Sequence, residues 1–128
     1  MIKMSDSLRN KVVVITGASS GIGRSIALES ASRGATVVLL ARRLDKLEEI
    51  AAEARELSAS AAFAVKADLG LASDIESAFA EVKEKVKHID YLVNAAGFGK
   101  FEEFMEADMQ DATEMFQVDV LGLMYMTR

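Results

Sequence analysis

The chain has 128 residues, and its hydrophobic fraction of 51% and charged fraction of 27% are typical of a soluble globular domain. A formal net charge of −5 argues against nucleic acid or an anionic membrane as the main partner. The chain has no cysteine and a single histidine, His88, which excludes disulfides, thiolate metal sites, a cysteine nucleophile and multi-histidine metal sites.

Four apolar runs alternate with four helical patterns along the chain. The runs predict strands at residues 11–15, 35–40, 61–65 and 91–93. The helical patterns cover residues 21–33, 44–57 and 75–86, and a last helix is predicted from about residue 108. In the first helix we expect Ile22 and Ile26 to face inward, and we expect Gly34 to end it.

This alternation of strands and helices predicts the fold class. Strands separated by helices imply a parallel sheet with right-handed crossovers, which covers both faces of the sheet. No proline, linker or repeat interrupts the order, so we expect residues 1–128 to form one unit. The prediction is an α/β fold with a doubly wound parallel sheet of strand order 3-2-1-4, and a ligand site near the carboxyl ends of the first and fourth strands.

A glycine-rich turn connects the first strand to the first helix. Its glycines are Gly17, Gly21 and Gly23. Backbone amides at a helix N-terminus carry partial positive charge, and glycines let that backbone approach a phosphate. In such a seat for a pyrophosphate, the first glycine permits the tight turn, the second meets the phosphates and the third allows close helix packing. The other groups offered to phosphate or ribose oxygens are the hydroxyls of Ser19 and Ser20 and the amide of Ile22. A purely structural turn is the alternative.

The residues after the second strand predict which dinucleotide binds. An acidic residue roughly 20 positions beyond the glycines would bind a ribose 2′-hydroxyl and repel a 2′-phosphate. This chain has Arg42 and Arg43 there. Because a guanidinium binds phosphate through paired, charge-assisted hydrogen bonds, we predict NADP(H) rather than NAD(H), with Arg42 as the main contact and Arg43 as its neighbour. A solvated helix start is the alternative for this pair.

Taken together, these features resemble the short-chain dehydrogenase/reductase family of the classical type. The resemblance rests on Thr16 with the glycine motif, on Asp68-Leu69 after the third strand, and on Asn94-Ala95-Ala96-Gly97 after the fourth. They occur in the family's order and spacing and cover the chain as the N-terminal part of a subunit. The resemblance implies a Rossmann-like fold and an oxidoreductase that transfers hydride between NADP(H) and a carbonyl or alcohol substrate.

The resemblance also implies roles for single residues. Asp68 would accept a hydrogen bond from the adenine amino group, with Leu69 giving a backbone contact; a helix cap is the alternative for Asp68. The segment Asn94–Gly97 would line the ribose and nicotinamide region, although Asn94 is explained equally well as a brace of the central sheet. Residues 98–104 are a candidate wall of the substrate pocket, with a place in the core as the alternative for the phenylalanines of this loop.

The catalytic residues of the family do not appear in this chain. The family uses a serine and a tyrosine four residues before a lysine, in the part of the subunit after residue 128. Tyr91 and Tyr125 have no lysine at that spacing, so neither is assigned a catalytic role. Asp119 stands where the family has an asparagine that supports a proton relay, and a carboxylate cannot donate a hydrogen bond as an amide does. We therefore expect these 128 residues alone to be inactive.

The last helix is apolar nearly all round from Met115 to Met126. Such a helix should be covered on both sides, by its own sheet and by further chain or a second subunit, and we expect a homo-oligomer through it. No apolar run is long enough to span a bilayer and the N-terminus lacks a signal peptide, so a cytoplasmic protein is expected. The alternative to an oxidoreductase is a half-fold that binds a nucleotide or a partner without catalysis.

Overall fold

The computed structural model describes residues 6–57, 59–97, 104–106 and 108–128. A parallel sheet of order β3-β2-β1-β4 forms its centre, which confirms the predicted topology. The strands are β1 (Val12–Thr16), β2 (Thr36–Ala41), β3 (Ala61–Lys66) and β4 (Tyr91–Asn94). Each boundary lies within one residue of its predicted position. For β1 and β2 this follows from burial on both faces, because such strands are almost continuously apolar.

Helices connect the strands and cover both faces of the sheet. They are α1 (Gly21–Ser32), α2 (Leu44–Leu57) and α3 (Ala72–Lys85). The last helix contains α4 (Met109–Phe116), a π-helical segment (Gln117–Gly122) and α5 (Leu123–Thr127), and a short 3-10 helix (Phe104–Glu106) precedes it. No helix within the described ranges is long and apolar enough to cross a membrane.

The core has two layers because successive side chains of a strand point to opposite faces. Val13 and Ile15 of β1 belong to the layer under α1 and α2. Val12 and Val14 belong to the layer under α3, which Met126 of α5 completes. The sheet is therefore buried on both sides along β1 and β2. This packing fixes the carboxyl ends of these two strands.

The expectation that Ile22 faces inward was wrong. Its side chain is 75% exposed, whereas Ile26 is half-buried against the core. The buried face of α1 carries the small residues Gly23, Ala27, Ser30 and Ala31. Small residues are required because the helix approaches β1 closely, and a Cβ on Gly23 would overlap the Gly17 carbonyl oxygen. Gly34 follows the end of α1 with a φ of 88°, as predicted.

One side of the last helix is exposed. Met126 is buried, and Gly122 packs so closely that a Cβ there would overlap the Leu69 carbonyl oxygen. The apolar residues that remain exposed are Met109, Phe116, Val120, Leu123, Met124 and Tyr125. The helix was expected to be covered on both sides. It is covered by the sheet on one side, and the opposite side exposes these apolar residues.

Two hydrogen bonds connect the first residue of β1 to Asp90, which precedes β4. The Val12 amide donates to Asp90 Oδ2 at 2.7 Å, and the Asp90 amide donates to the Val12 carbonyl at 3.0 Å. His88 Nε2 lies 3.0 Å from the same carboxylate oxygen. The hydrogen bond from the Val12 amide, followed by electrostatic attraction from His88 when it is protonated and from Lys11, holds the pKa of Asp90 below its ordinary value of 3.8.

A second connection lies at the opposite end of the same two strands. The buried Thr16 hydroxyl donates to the Val93 carbonyl at 3.4 Å and accepts from the amides of Ala95 and Ala96 at 3.1 and 3.2 Å. One side chain of β1 therefore satisfies three backbone groups at the end of β4. These groups lie where the chain leaves the sheet, so the hydroxyl fixes the path of residues 95–96.

Replacing Asp90 by Asn should destabilise the fold in a pH-dependent way. Because the pKa of Asp90 is lowered by folding, its carboxylate stabilises the protein above about pH 4, and this contribution is lost as the pH falls through the folded-state pKa. The melting temperature of Asp90→Asn should be lower than that of the parent at pH 7, and the difference should shrink towards pH 3. Glu76→Gln, which neutralises an exposed carboxylate on α3, is the control and should show no such difference.

Replacing Thr16 by Val should lower the free energy of unfolding by about 1–3 kcal/mol, because two partly buried amides lose their acceptor while the side-chain volume is kept. Thr16→Ser keeps the hydroxyl and should retain most of the stability. Chemical denaturation of the three proteins measures the difference. Equal stability of the Val and Ser variants would contradict the role given to the hydroxyl.

Candidate functional site

A cavity of about 380 Å³ opens at the carboxyl ends of the strands, where the site was predicted. The residues that line it are Gly17, Ser19, Ser20, Gly21, Ile22, Ala41, Arg42, Arg43, Ala67, Asp68, Leu69, Ala95, Ala96, Gly97 and Val118. The structure thus brings together all of the residues predicted to bind a dinucleotide except Gly23 and Asn94. Segments from four different connections between strand and helix meet here.

The glycine turn contributes an open helix N-terminus to this cavity. The Arg24 amide donates to the Ser20 carbonyl at 3.2 Å, and the amides before it have no partner within the helix. Ser20 is the N-cap of α1, but its side chain makes no capping bond. Within the described ranges, the hydroxyls of Ser19 and Ser20 also have no hydrogen-bond partner. The turn therefore presents several free donors to the cavity.

The three glycines serve different purposes. Gly17 has a φ of 63°, and a Cβ there would lie 2.7 Å from the Ala95 carbonyl oxygen and from the Ala96 amide nitrogen. Gly21 has a φ of 54°, and a Cβ there would meet no atom within 4 Å. Gly23 is buried and does not line the cavity; it permits α1 to lie against the turn. Gly17 is thus required by space and conformation, Gly21 by conformation, and Gly23 by space.

Two arginines lie at the rim of the cavity, directly after β2. Both are exposed, and both line the cavity. Arg43 Nη2 donates to Asp45 Oδ2 at 2.9 Å. The guanidinium of Arg42 makes no hydrogen bond or ion pair with any residue that the structure describes. Of the two predicted phosphate contacts, Arg42 is therefore the one with all of its donors available.

Asp68 lies half-buried in the cavity wall, after β3. Its Oδ1 accepts from the Gly70 amide at 2.9 Å, and its own amide donates to Asp74 Oδ2 at 3.0 Å. The N-cap of α3 is Leu71, with no side-chain cap, so the alternative that Asp68 caps this helix is wrong. Asp68 Oδ2 has no hydrogen-bond partner in the described part of the chain, which leaves an acceptor available at the cavity.

Asn94 lies outside the cavity. Its side chain is exposed, and Nδ2 donates to the Thr127 hydroxyl at 3.2 Å, which in turn donates to the Leu123 carbonyl at 2.8 Å. Asn94 thus connects the end of β4 to the last helix. This position agrees with the bracing alternative for Asn94 and not with a place in the cavity wall.

The π-helical segment provides one part of the cavity wall that was not predicted from the sequence. Val118 lines the cavity, and its side chain also lies near Gly70. Asp119 lies next to it, with Oδ1 2.9 Å from where a Cβ on Gly97 would be. The sequence did offer an indication of Val118, because it directly precedes Asp119, which stands at the family's asparagine position. The predicted substrate wall at residues 98–103 lies outside the described residues, as does the Phe104 side chain.

Ala41 and Ala67 also line the cavity and were not predicted. Both stand at the carboxyl end of a strand, directly before Arg42 and Asp68 respectively. Their position after a buried strand was the available signal, but alanine carries no chemistry that marks a site. Among the described residues, no group of three or more His, Asp or Glu side chains could hold a metal ion.

The chain is similar to known proteins in both sequence and fold. A family model described as short chain dehydrogenase matches residues 11–128. The 11-beta-hydroxysteroid dehydrogenase A of Sesamum indicum is 41% identical over 125 residues, which are 97% of this chain and 36% of that protein.

Two solved structures are similar in both sequence and fold. L-sorbose reductase from Gluconobacter frateurii, complexed with NADPH and L-sorbose, is 34% identical with a TM-score of 0.89, covering 98% of this chain and 48% of that chain. The 3-ketoacyl-(acyl-carrier-protein) reductase from Brucella melitensis, complexed with NADH, is 36% identical with a TM-score of 0.87, covering 95% and 49%.

The chain spans less than half the length of these proteins, between 36% and 49%. The matched part nevertheless includes every element from β1 to α5. Because the family model matches nearly all of the sequence, the chain belongs to the short chain dehydrogenase family.

Proposed function

We propose that the cavity binds NADP(H), and that the chain is the cofactor-binding part of an oxidoreductase that transfers hydride between this cofactor and a carbonyl or alcohol carbon. The observation that carries the proposal is Arg42, an exposed guanidinium on the cavity rim without a partner among the described residues. The remaining argument follows the three chemical parts of the cofactor: pyrophosphate, 2′-phosphate and adenine.

The backbone amides at the start of α1 would bind the pyrophosphate. Two negative phosphates are favoured at a helix N-terminus by the helix dipole and by unsatisfied N–H groups. The hydroxyls of Ser19 and Ser20 add donors beside these amides, in the same cavity. The absence of a Cβ at Gly21 keeps the approach to this backbone open.

The arginines provide for the 2′-phosphate. A hydrogen bond to a charged group contributes roughly 1.5–3 kcal/mol, about twice the contribution of a neutral one. Arg42 can make such bonds without breaking an interaction with any described residue, whereas Arg43 is paired with Asp45. The relatives support a nicotinamide cofactor of either type, since one was solved with NADPH and another with NADH. The preference for NADP(H) is therefore argued from Arg42.

Asp68 provides for the adenine. Its Oδ1 is used by the Gly70 amide, and Oδ2 remains as an acceptor for the exocyclic amino group. Leu69 is buried in the core, so its backbone is held firmly beside Asp68. The turn after β3 thereby offers one acceptor and a fixed backbone, which suits recognition of a base edge.

Hydride transfer to a carbonyl also needs a proton donor, and the described residues do not offer the family's tyrosine and lysine. Tyr91 is half exposed in the edge strand, and Tyr125 lies on the exposed side of the last helix. In this proposal residues 1–128 hold the cofactor, and the proton comes from residues of the complete enzyme. We further propose that the protein is cytoplasmic and forms a homo-oligomer through the last helix.

A second function, a nucleotide-binding or partner-binding module without catalysis, is favoured by one observation. The exposed side of the last helix carries Phe116, Leu123 and Met124, which are 55%, 40% and 61% exposed. Such a surface fits a partner as well as it fits a further part of an enzyme. Both functions share the same cofactor site, so cofactor binding supports either.

Replacing Arg42 by Ala should raise the dissociation constant for NADPH by about 10- to 100-fold, because the 2′-phosphate loses its charge-assisted bonds. The dissociation constant for NADH should stay within about twofold, since NADH lacks this phosphate. Arg42→Asp should reverse the preference. Fluorescence titration of both cofactors measures these changes, and Arg9→Ala, which removes an arginine paired with Asp6, is the charge-matched control. An unchanged ratio of the two affinities would reject the assignment of Arg42.

The 128-residue chain should bind NADPH without oxidising it. With the proton-donating tyrosine and its lysine absent from the sequence, the rate of NADPH consumption with carbonyl compounds should not exceed the background rate. Absorbance at the nicotinamide band measures consumption, and the same fluorescence titration establishes that cofactor is bound. Turnover above background would contradict the division of roles proposed above.

A further inference from the structure

The ion pair between Arg43 and Asp45 lies beside the proposed 2′-phosphate position. Arg43 lines the cavity, and Asp45 lies in the first turn of α2. Their side chains are 62% and 67% exposed, and one hydrogen bond of 2.9 Å from Arg43 Nη2 to Asp45 Oδ2 joins them. The rim of the cavity therefore carries Arg42, which has no partner among the residues that the structure describes, and Arg43, which is already bound to a carboxylate.

The environment of Asp45 favours its charged form. It stands at the N-terminus of a helix, where a carboxylate is favoured by the helix dipole. The hydrogen bond from Arg43, followed by one from the Lys46 amide, holds the pKa of Asp45 below its ordinary value. The carboxylate is therefore ionised at neutral pH, and the helix backbone keeps it close to Arg43.

We infer that Asp45 competes with the 2′-phosphate of NADP(H) for Arg43, and that it thereby limits how strongly the site prefers NADP(H) over NAD(H). This inference rests on the proposed function. Arg42 gives the preference, and Asp45 keeps the second guanidinium from adding its full contribution. The site is thus less selective than two free arginines would make it.

The sign of the effect follows from the exposure of the pair. Exposed ion pairs are weak, so the pair does little to order Arg43 for a ligand. A phosphate dianion beside Arg43 must either draw the guanidinium away from Asp45 or share it with a carboxylate of the same sign. Both cases cost binding free energy, and neither applies to NAD(H), which has a hydroxyl at this position.

Replacing Asp45 by Asn tests the competition. The dissociation constant for NADPH should fall by about two- to fivefold, which is the range expected from releasing one exposed ion pair. The constant for NADH should not change. In an Arg43→Ala background the Asp45→Asn gain should disappear, and in the parent it should shrink at high salt.

Glu53→Gln is the matched control. Glu53 pairs with Arg24 at 2.9 Å in a similarly exposed bridge between α1 and α2, and neither residue lines the cavity. It removes one negative charge from the surface without touching Arg43, so it should leave the NADPH/NADH ratio unchanged. Asp45→Ser also removes the charge and keeps a residue that is favourable at a helix N-terminus. It should give the same gain in NADPH affinity as Asp45→Asn, and it replaces that variant if Asp45→Asn folds poorly.

The outcomes separate the inference from the proposed function. Weaker NADPH binding in Asp45→Asn, an equal gain for NADH, an equal gain in Glu53→Gln, or a full gain without Arg43 would each overturn the competition, even when Arg42→Ala abolishes the NADPH preference. An unchanged cofactor ratio in Arg42→Ala overturns the proposed function. No measurable NADPH binding by the parent chain overturns both.

Discussion

The Thr16 hydroxyl is the contact on which the site depends most directly. It lies at the end of β1, where the glycine turn begins, and it binds the amides of Ala95 and Ala96 at the end of β4. Gly17 is the next residue, and its α-carbon lies so close to residues 95 and 96 that no larger residue fits. These two segments, which form adjoining parts of the cavity wall, are thus joined through one side chain and one glycine. Their separation is set by hydrogen-bond and van der Waals distances and leaves little room for variation.

The architecture could be predicted because the apolar runs, the turn residues and the order of strands and helices all indicate the same fold. The β-branched and apolar runs of β1 and β2 fill both faces of the sheet, and turn residues such as Gly34 mark the ends of helices. The order of strand and helix then permits few topologies. The glycine motif and the arginines after β2 could be assigned to one site, because the carboxyl ends of parallel strands lie along one edge.

What could not be predicted depends on packing between elements that are distant in sequence. Ile22 is apolar and has a helical spacing with Ile26, yet α1 uses small residues for its inner face because the turn beneath it is so close. Val118 enters the cavity wall only because the last helix crosses the turn after β3, where Gly122 meets the Leu69 backbone. The pairing of Arg43 with Asp45 depends on side-chain directions that sequence spacing does not define.

The close packing of the glycine turn bears on the thermodynamics of ligand binding. Gly17 and Gly23 are confined by neighbouring backbone, and α1 is anchored by the buried Ala27 and Ala31. The start of α1, which lines the cavity, is therefore held in place by this packing. In the proposed function, this rigid backbone loses little conformational entropy when it binds a phosphate group, so most of the favourable interaction is retained as affinity.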